Sequence, residues 1–137
     1  MRVGLRPATR LALARGVELY AAARYFEAHE VWEEAWLEES GEVRVLLHGL
    51  IQVAAGLVKG LRDARPAGAV KLFDAALEKL SPLPDDIVGV RLSTFRKELA
   101  QAAEAARRWR DGASTSLEAH PPTLRLAVDR RSPDDAG

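Results

Sequence analysis

His29, Glu30 and Glu33 are the residues of this chain best suited to chemistry. They lie in Tyr25-Phe-Glu-Ala-His-Glu-Val-Trp-Glu-Glu-Ala-Trp36, which packs two tryptophans, one histidine and four glutamates into twelve residues. His29 and Glu33 are one helical turn apart, so imidazole and carboxylate share a face. Such a pair can relay a proton, hold a polar ligand or supply two donors to a metal. The zinc protease motif that begins with His-Glu needs a second histidine where Glu33 stands, so that reading is rejected. A carboxylate still ligates metals, and His29 with Glu33, completed by Glu30, His48 or Gln52, is the metal alternative. The di-iron pattern places glutamate three residues before histidine, but Phe26 and Val45 occupy those positions. The sequence has no nucleophilic triad pattern, glycine-rich phosphate loop or dinucleotide fingerprint. For acid–base work, a glutamate among tryptophans has its proton affinity raised by desolvation and lowered by a nearby imidazolium.

A helical wheel sets the expected orientation. With Glu27 at zero, Val31, Ala35, Ala28, Trp32, Tyr25 and Trp36 cover an arc from about 40° to 180°. Phe26 and Leu37 fall near about 260° and 280°, and His29 and Glu33 lie between the two apolar groups. The wheel predicts that His29 and Glu33 point inward while Glu27, Glu34 and Glu38 are wet. A buried polar pair needs partners. The next helix offers His48 and Gln52, also one turn apart. The candidate site is therefore His29, Glu30, Trp32, Glu33, His48 and Gln52. Trp32 and Trp36 share their arc with alanines, which favours a core role for them. A His–Glu contact that fixes helix packing, a binding pocket and a catalytic or metal site all fit this pattern.

The elements that must hold these residues are helices. Periodicity predicts a first helix over 9–22 capped by Thr9, a tight turn, a second over 25–39 and a stop at Ser40-Gly41. A third, over 42–62, is apolar nearly all round and belongs at the centre of a fold. It carries one stripe of Gly49, Gly56 and Gly60, open to a neighbouring backbone in this chain or a second copy. Another stripe holds Arg44, His48, Gln52 and Lys59. A fourth helix follows Pro66 to about 80, Ser81–Asp86 reads as a loop, and a fifth spans 92–110 with Gly112 after it. Arg107, Arg108 and Arg110 suit its C-terminal dipole and are too few to argue for nucleic acid. Ala28, Trp32 and Ala35 recur as Ala69, Phe73 and Ala76, shifted by 41 residues. This echo predicts two similar helical hairpins packed together. The fold expected is all-α, a compact array of about five helices built from two hairpins plus a C-terminal helix. Its domain is 1–112. Residues 113–137 form an extended tail, in which Leu124, Leu126 and Val128 alternate and 130–137 is expected to be mobile.

Composition narrows the classes. The chain of 137 residues suits one domain, and its 20 basic and 20 acidic residues cancel, which argues against nucleic acid as partner. With no cysteine, disulfides, thiolate zinc and cysteine nucleophiles are excluded. No signal-like apolar run precedes Arg10. The window 43–61 has the length of a membrane span but carries Arg44, His48, Gln52 and Lys59, so a buried helix and a cytoplasmic location without membrane contact are expected.

Phe26-Glu-Ala-His-Glu-Val-Trp-Glu-Glu-Ala-Trp36, with Gly49-Leu-Ile-Gln-Val-Ala-Ala55 and Gly68-Ala69, resembles the small bacterial and archaeal family called domain of unknown function 309. The likeness covers roughly residues 10 to 80, and its signature positions here are His29, Glu30, Trp32, Glu33, Gly49 and Gln52. It implies a compact helical fold and no particular reaction, cofactor or partner. The leading expectation is a non-catalytic binding or interaction module for an unidentified small molecule or protein, with a polar site around His29, Glu33 and Gln52. A homo-oligomer is compatible with it. The alternative is a metal-dependent or general acid–base enzyme using His29, Glu30 and Glu33.

Overall fold

A computed structural model describes residues 5–127. Among these, helices dominate: α1 (Pro7–Ala21), α2 (Tyr25–Glu38), α3 (Gly41–Leu57), α4 (Pro66–Leu80) and α5 (Ser93–Arg110). Each helix packs on the next, so α1–α2 and α3–α4 form two hairpins and α5 closes against α4. The helix α1 starts at Pro7, two residues before the expected cap. Proline has no N–H to leave unsatisfied at that position. Thr9 is buried and caps nothing; its hydroxyl donates to the Glu39 carboxylate, tying α1 to the end of α2. The turn 22–24 reverses the chain through Ala23 at φ 63°.

The two hairpins are built alike. Trp32, fully buried, lies edge-on against Gly16, where an added Cβ would come within 2.0 Å of the indole Nε1. Phe73, fully buried, fills the same role against Gly56, where a Cβ would lie 2.6 Å from the ring. Leu80 sits over Gly49 in the same way. The glycine stripe of α3 therefore receives α4 of the same chain, and the 41-residue echo is an aromatic-into-glycine contact used twice.

Helix α3 continues into a π-helical turn, Val58–Arg62, whose wide loop is closed by Asp63 N–H donating to the Val58 carbonyl at 3.0 Å. The segment Gly41–Arg62 is long and apolar enough to cross a membrane, with mean hydropathy 1.3, yet half of its apolar window is buried inside the protein. Leu46, Leu47, Leu50, Val53, Ala54 and Leu57 are fully covered, which makes this helix the core.

The region read as plain loop contains a small sheet. Strands β1 (Asp86–Ile87), β2 (Val90–Arg91) and β3 (Arg125–Leu126) run antiparallel in that order, with Ile87 opposite Val90 and Val90 opposite Leu126. Helix α5 ends at Arg110 and is closed off by Gly112, whose φ of 88° lets Gly112 N–H and Ala113 N–H turn back onto the Trp109 and Arg108 carbonyls. The following segment returns along the body: Tyr20 Oη donates to the Pro122 carbonyl at 2.6 Å, and Leu124 is buried. Val128 and the stretch 130–137, expected to be mobile, lie outside the described residues.

Candidate functional site

Helices α2 and α3 run antiparallel after a two-residue link, and two contacts fix their register. Trp36 and His48 approach with ring centroids 5.2 Å apart. Seven residues back along α2 and seven forward along α3, His29 and Ala55 line one cleft with Phe26, Val58, Lys59, Arg62 and Asp63. Between these contacts on α3, Gln52 lies one turn from both His48 and Ala55. The polar stripe of α3 thus forms a seam beside α2, running from Arg44 through His48 and Gln52 to Lys59.

The seam has similar furnishings at both ends. At one, the Arg44 guanidinium lies 4.1 Å from the centroid of the Trp36 ring, and its Nη1 donates to the Trp36 and Glu39 carbonyls at 3.2 Å each. These bonds satisfy carbonyls at the C-terminus of α2, where helix ends leave them unmatched. At the other end, Arg62 lies 5.6 Å from the Phe26 ring centroid, and Phe26 is 5.7 Å from His29. Each end therefore has an arginine over an aromatic ring beside a histidine. His29 Nδ1 at the Arg62 end and Gln52 Oε1 further along the stripe are both buried without a hydrogen-bond partner among the described residues, as is Trp32 Nε1 in the core against Gly16. Unmatched buried polar atoms are uncommon, because each loses its water without compensation.

The cleft at His29 has a volume of about 180 Å³ and adjoins a larger one of about 530 Å³. The second is lined by Tyr25, Phe26, Leu57, Val58, Leu61 and the Arg24–Glu27 pair, among others. The two share Phe26, Val58 and Arg62, so they form one groove at the junction of α2 with the π-helical turn. Phe26 is 47% exposed and Leu61 52%, an apolar surface left open to solvent. Asp63 is paired with Arg62 at 3.0 Å and lies 4.0 Å from Lys59. The hydrogen bond from Arg62 holds its carboxyl below the usual range. His48 is pushed below the ordinary imidazole value by burial, then by Lys79 and Arg44.

The sequence-derived set divides. His29, His48 and Gln52 are half-buried along the seam. Trp32 is fully buried against Gly16 and belongs to the core. Glu30 is exposed. Glu33 is exposed as well, contrary to the inward orientation that the wheel predicts. The cause is plain: Phe26 and Leu37 were counted as the far edge of the buried arc, but they are 47% and 65% exposed. The covered arc of α2 stops at His29, and Glu33 lies beyond it on the exposed side. Among the described residues, no three His, Asp or Glu side chains converge to hold a metal. Sequence reasoning overlooked Phe26, Val58, Leu61 and Arg62 as groove residues. Phe26, three residues before His29, is their one signal in the sequence, and its apolar character alone does not separate groove from core.

The chain resembles the family described as Domain of unknown function (DUF309), whose model matches residues 13–72, from α1 into α4. No curated protein matches it.

Proposed function

With that family likeness as the premise, we propose that the α2–α3 seam is the binding site of a non-catalytic interaction module. The observation that carries this reading is the unmatched buried atom His29 Nδ1 on the lining of an open groove, with a second, Gln52 Oε1, on the polar stripe of the neighbouring α3. Polar atoms kept dry and unpaired weaken the fold, so their presence is better explained by a ligand than by packing. The groove supports a ligand with an apolar part on Phe26, Val58 and Leu61 and a polar part towards His29 and Gln52. Glu33 contributes a carboxylate at the rim, not a buried partner.

The test uses two neutral probes, acetamide and phenol, titrated into ¹⁵N-labelled protein. Shift changes are expected at His29, Gln52, Ala55 and Val58, and are expected to disappear in His29→Ala and Gln52→Ala proteins that keep their helical signal. Changes scattered over the surface, or unaltered in both variants, would remove the reading. Turnover of a hydrolysable ester, lost in a folded His29→Ala protein, would replace it with a catalytic one.

A further inference from the structure

We propose that the groove at His29 takes the anion of a small amphiphilic acid, with a single carboxylate head at Lys59 and His29 and an apolar chain on Phe26, Val58 and Leu61. This deepens, and rests on, the reading of the groove as a binding site. Three observations carry it.

The first is the balance of charge on the lining. The cleft of about 180 Å³ has two cations, Lys59 and Arg62, and one carboxylate, Asp63, on its walls. Arg62 Nε donates to Asp63 Oδ1 at 3.0 Å, while the Lys59 ammonium stands 4.0 Å from Oδ2, at the outer limit of an ion pair. In the adjoining cavity of about 530 Å³, Arg24 and Glu27 satisfy each other through two hydrogen bonds. The joined groove therefore keeps one positive charge in excess, at its His29 end. Asp63 remains on the wall and repels a second negative charge, so the lining suits a monoanion better than a phosphate dianion.

The second is the unmet hydrogen bond. His29 lines the cleft, and its Nδ1 is buried without a partner among the described residues. A ring nitrogen of a neutral imidazole either donates or accepts. On a wall with an excess cation, an anionic acceptor is the favoured ligand group. Nδ1–H then donates and a carboxylate oxygen accepts.

The third is that head and tail positions are both in place. The Lys59 stem lies on Gly68 of α4, where an added Cβ would meet its Cγ and Cδ at 3.4 Å. A stem already packed loses less freedom when its ammonium takes a ligand. On the apolar side, Phe26 and Leu61 are exposed, and an alkyl chain laid on them leaves water. Phe26 and Val58 line both cavities, so one ligand can hold both positions at once.

Hexanoate, 1-hexanol and hexylammonium, alike in chain and different in head, are titrated into ¹⁵N-labelled protein at neutral pH and constant ionic strength. Hexanoate and hexanol are expected to shift Phe26, Val58 and Leu61, with hexanoate bound about tenfold more tightly and hexylammonium bound most weakly. Lys59→Met keeps the stem on Gly68 and removes the charge. It is expected to abolish the advantage of hexanoate and leave hexanol binding unchanged. Hexanol bound as well as hexanoate, hexylammonium bound best, or an advantage that survives in Lys59→Met would each overturn the assignment. If acetamide and phenol still shift His29 and Gln52 while hexanoate shows no advantage, the carboxylate head fails and the binding-site reading stands. If none of these probes acts, both fail.

Discussion

Gln52 keeps a carbonyl oxygen buried without a donor, and that makes a prediction opposite in sign to most core substitutions. Gln52→Met preserves the length of the side chain and removes the unmatched atom. Urea unfolding is expected to show a gain of about 1 kcal/mol, with loss of the acetamide response. A loss of stability instead would mean that the amide is a structural partner. Gly16 on α1 tests the contact that α2 makes on its other side. Alanine is worth up to about 1 kcal/mol more than glycine inside a helix. Here its Cβ would stand 2.0 Å from Trp32 Nε1 and 2.4 Å from Cε2. Overpacking of this kind costs about 1–3 kcal/mol, so Gly16→Ala is expected to lower stability despite its better propensity. Equilibrium unfolding, with Trp fluorescence for the displaced indole, checks it. His29 and Gln52 were legible from sequence because polar residues stood at positions that a helix period turns inward. Glu33 was misplaced by the same logic, since a wheel cannot tell an exposed Phe26 or Leu37 from a buried one.

At the scale of elements, the helices were legible because their signals are redundant: apolar spacing, Pro7 and Pro66 at starts, Gly112 at an end. The sheet was not. Its strands are two residues each, too short for alternation to register. Its turn also breaks the usual rule. Val88 and Gly89 join β1 to β2 with φ of 43° and 86°, the two left-handed positions of a tight hairpin. Asparagine commonly fills the first of these, while a β-branched valine is strained there. Val88 is also an exposed apolar residue, so packing does not explain it. Val88→Asn is therefore expected to stabilise the protein by about 1 kcal/mol, read as a raised thermal midpoint. The π-helical turn left no sequence signal either, because a widened turn changes no residue type. It was nevertheless the element that set the groove, by ending α3 with Val58, Lys59 and Arg62 beside the start of α2.

For the whole molecule, the segment after α5 is joined to three separate places on the body. Tyr20 on α1 holds the Pro122 carbonyl, β3 pairs with β2, and Glu98 on α5 accepts the Thr123 N–H at 2.6 Å. The sequence hinted at this only through alternating Leu124 and Leu126, since contacts across a hundred residues leave no local pattern. The Glu98 contact makes the attachment sensitive to acid. The backbone N–H of Thr123 is the main group holding the Glu98 carboxyl below its usual range, with His120, whose Nε2 lies 4.0 Å away, and Arg125 adding to it. A carboxyl depressed in the folded state contributes stability that is fully present above its unfolded value and is lost as pH falls through the folded one. The attachment is therefore expected to hold at neutral pH and to loosen only below the ordinary carboxylate range. The protection of the Thr123, Val90 and Leu126 amides, measured against their intrinsic exchange rates at each pH, should fall at low pH while that of the α3 amides is kept. Glu98→Gln keeps an acceptor for the Thr123 N–H but removes the charge, so its exchange at these amides should be faster at neutral pH and change less on acidification. Equal acid sensitivity in both proteins would place the titrating group elsewhere.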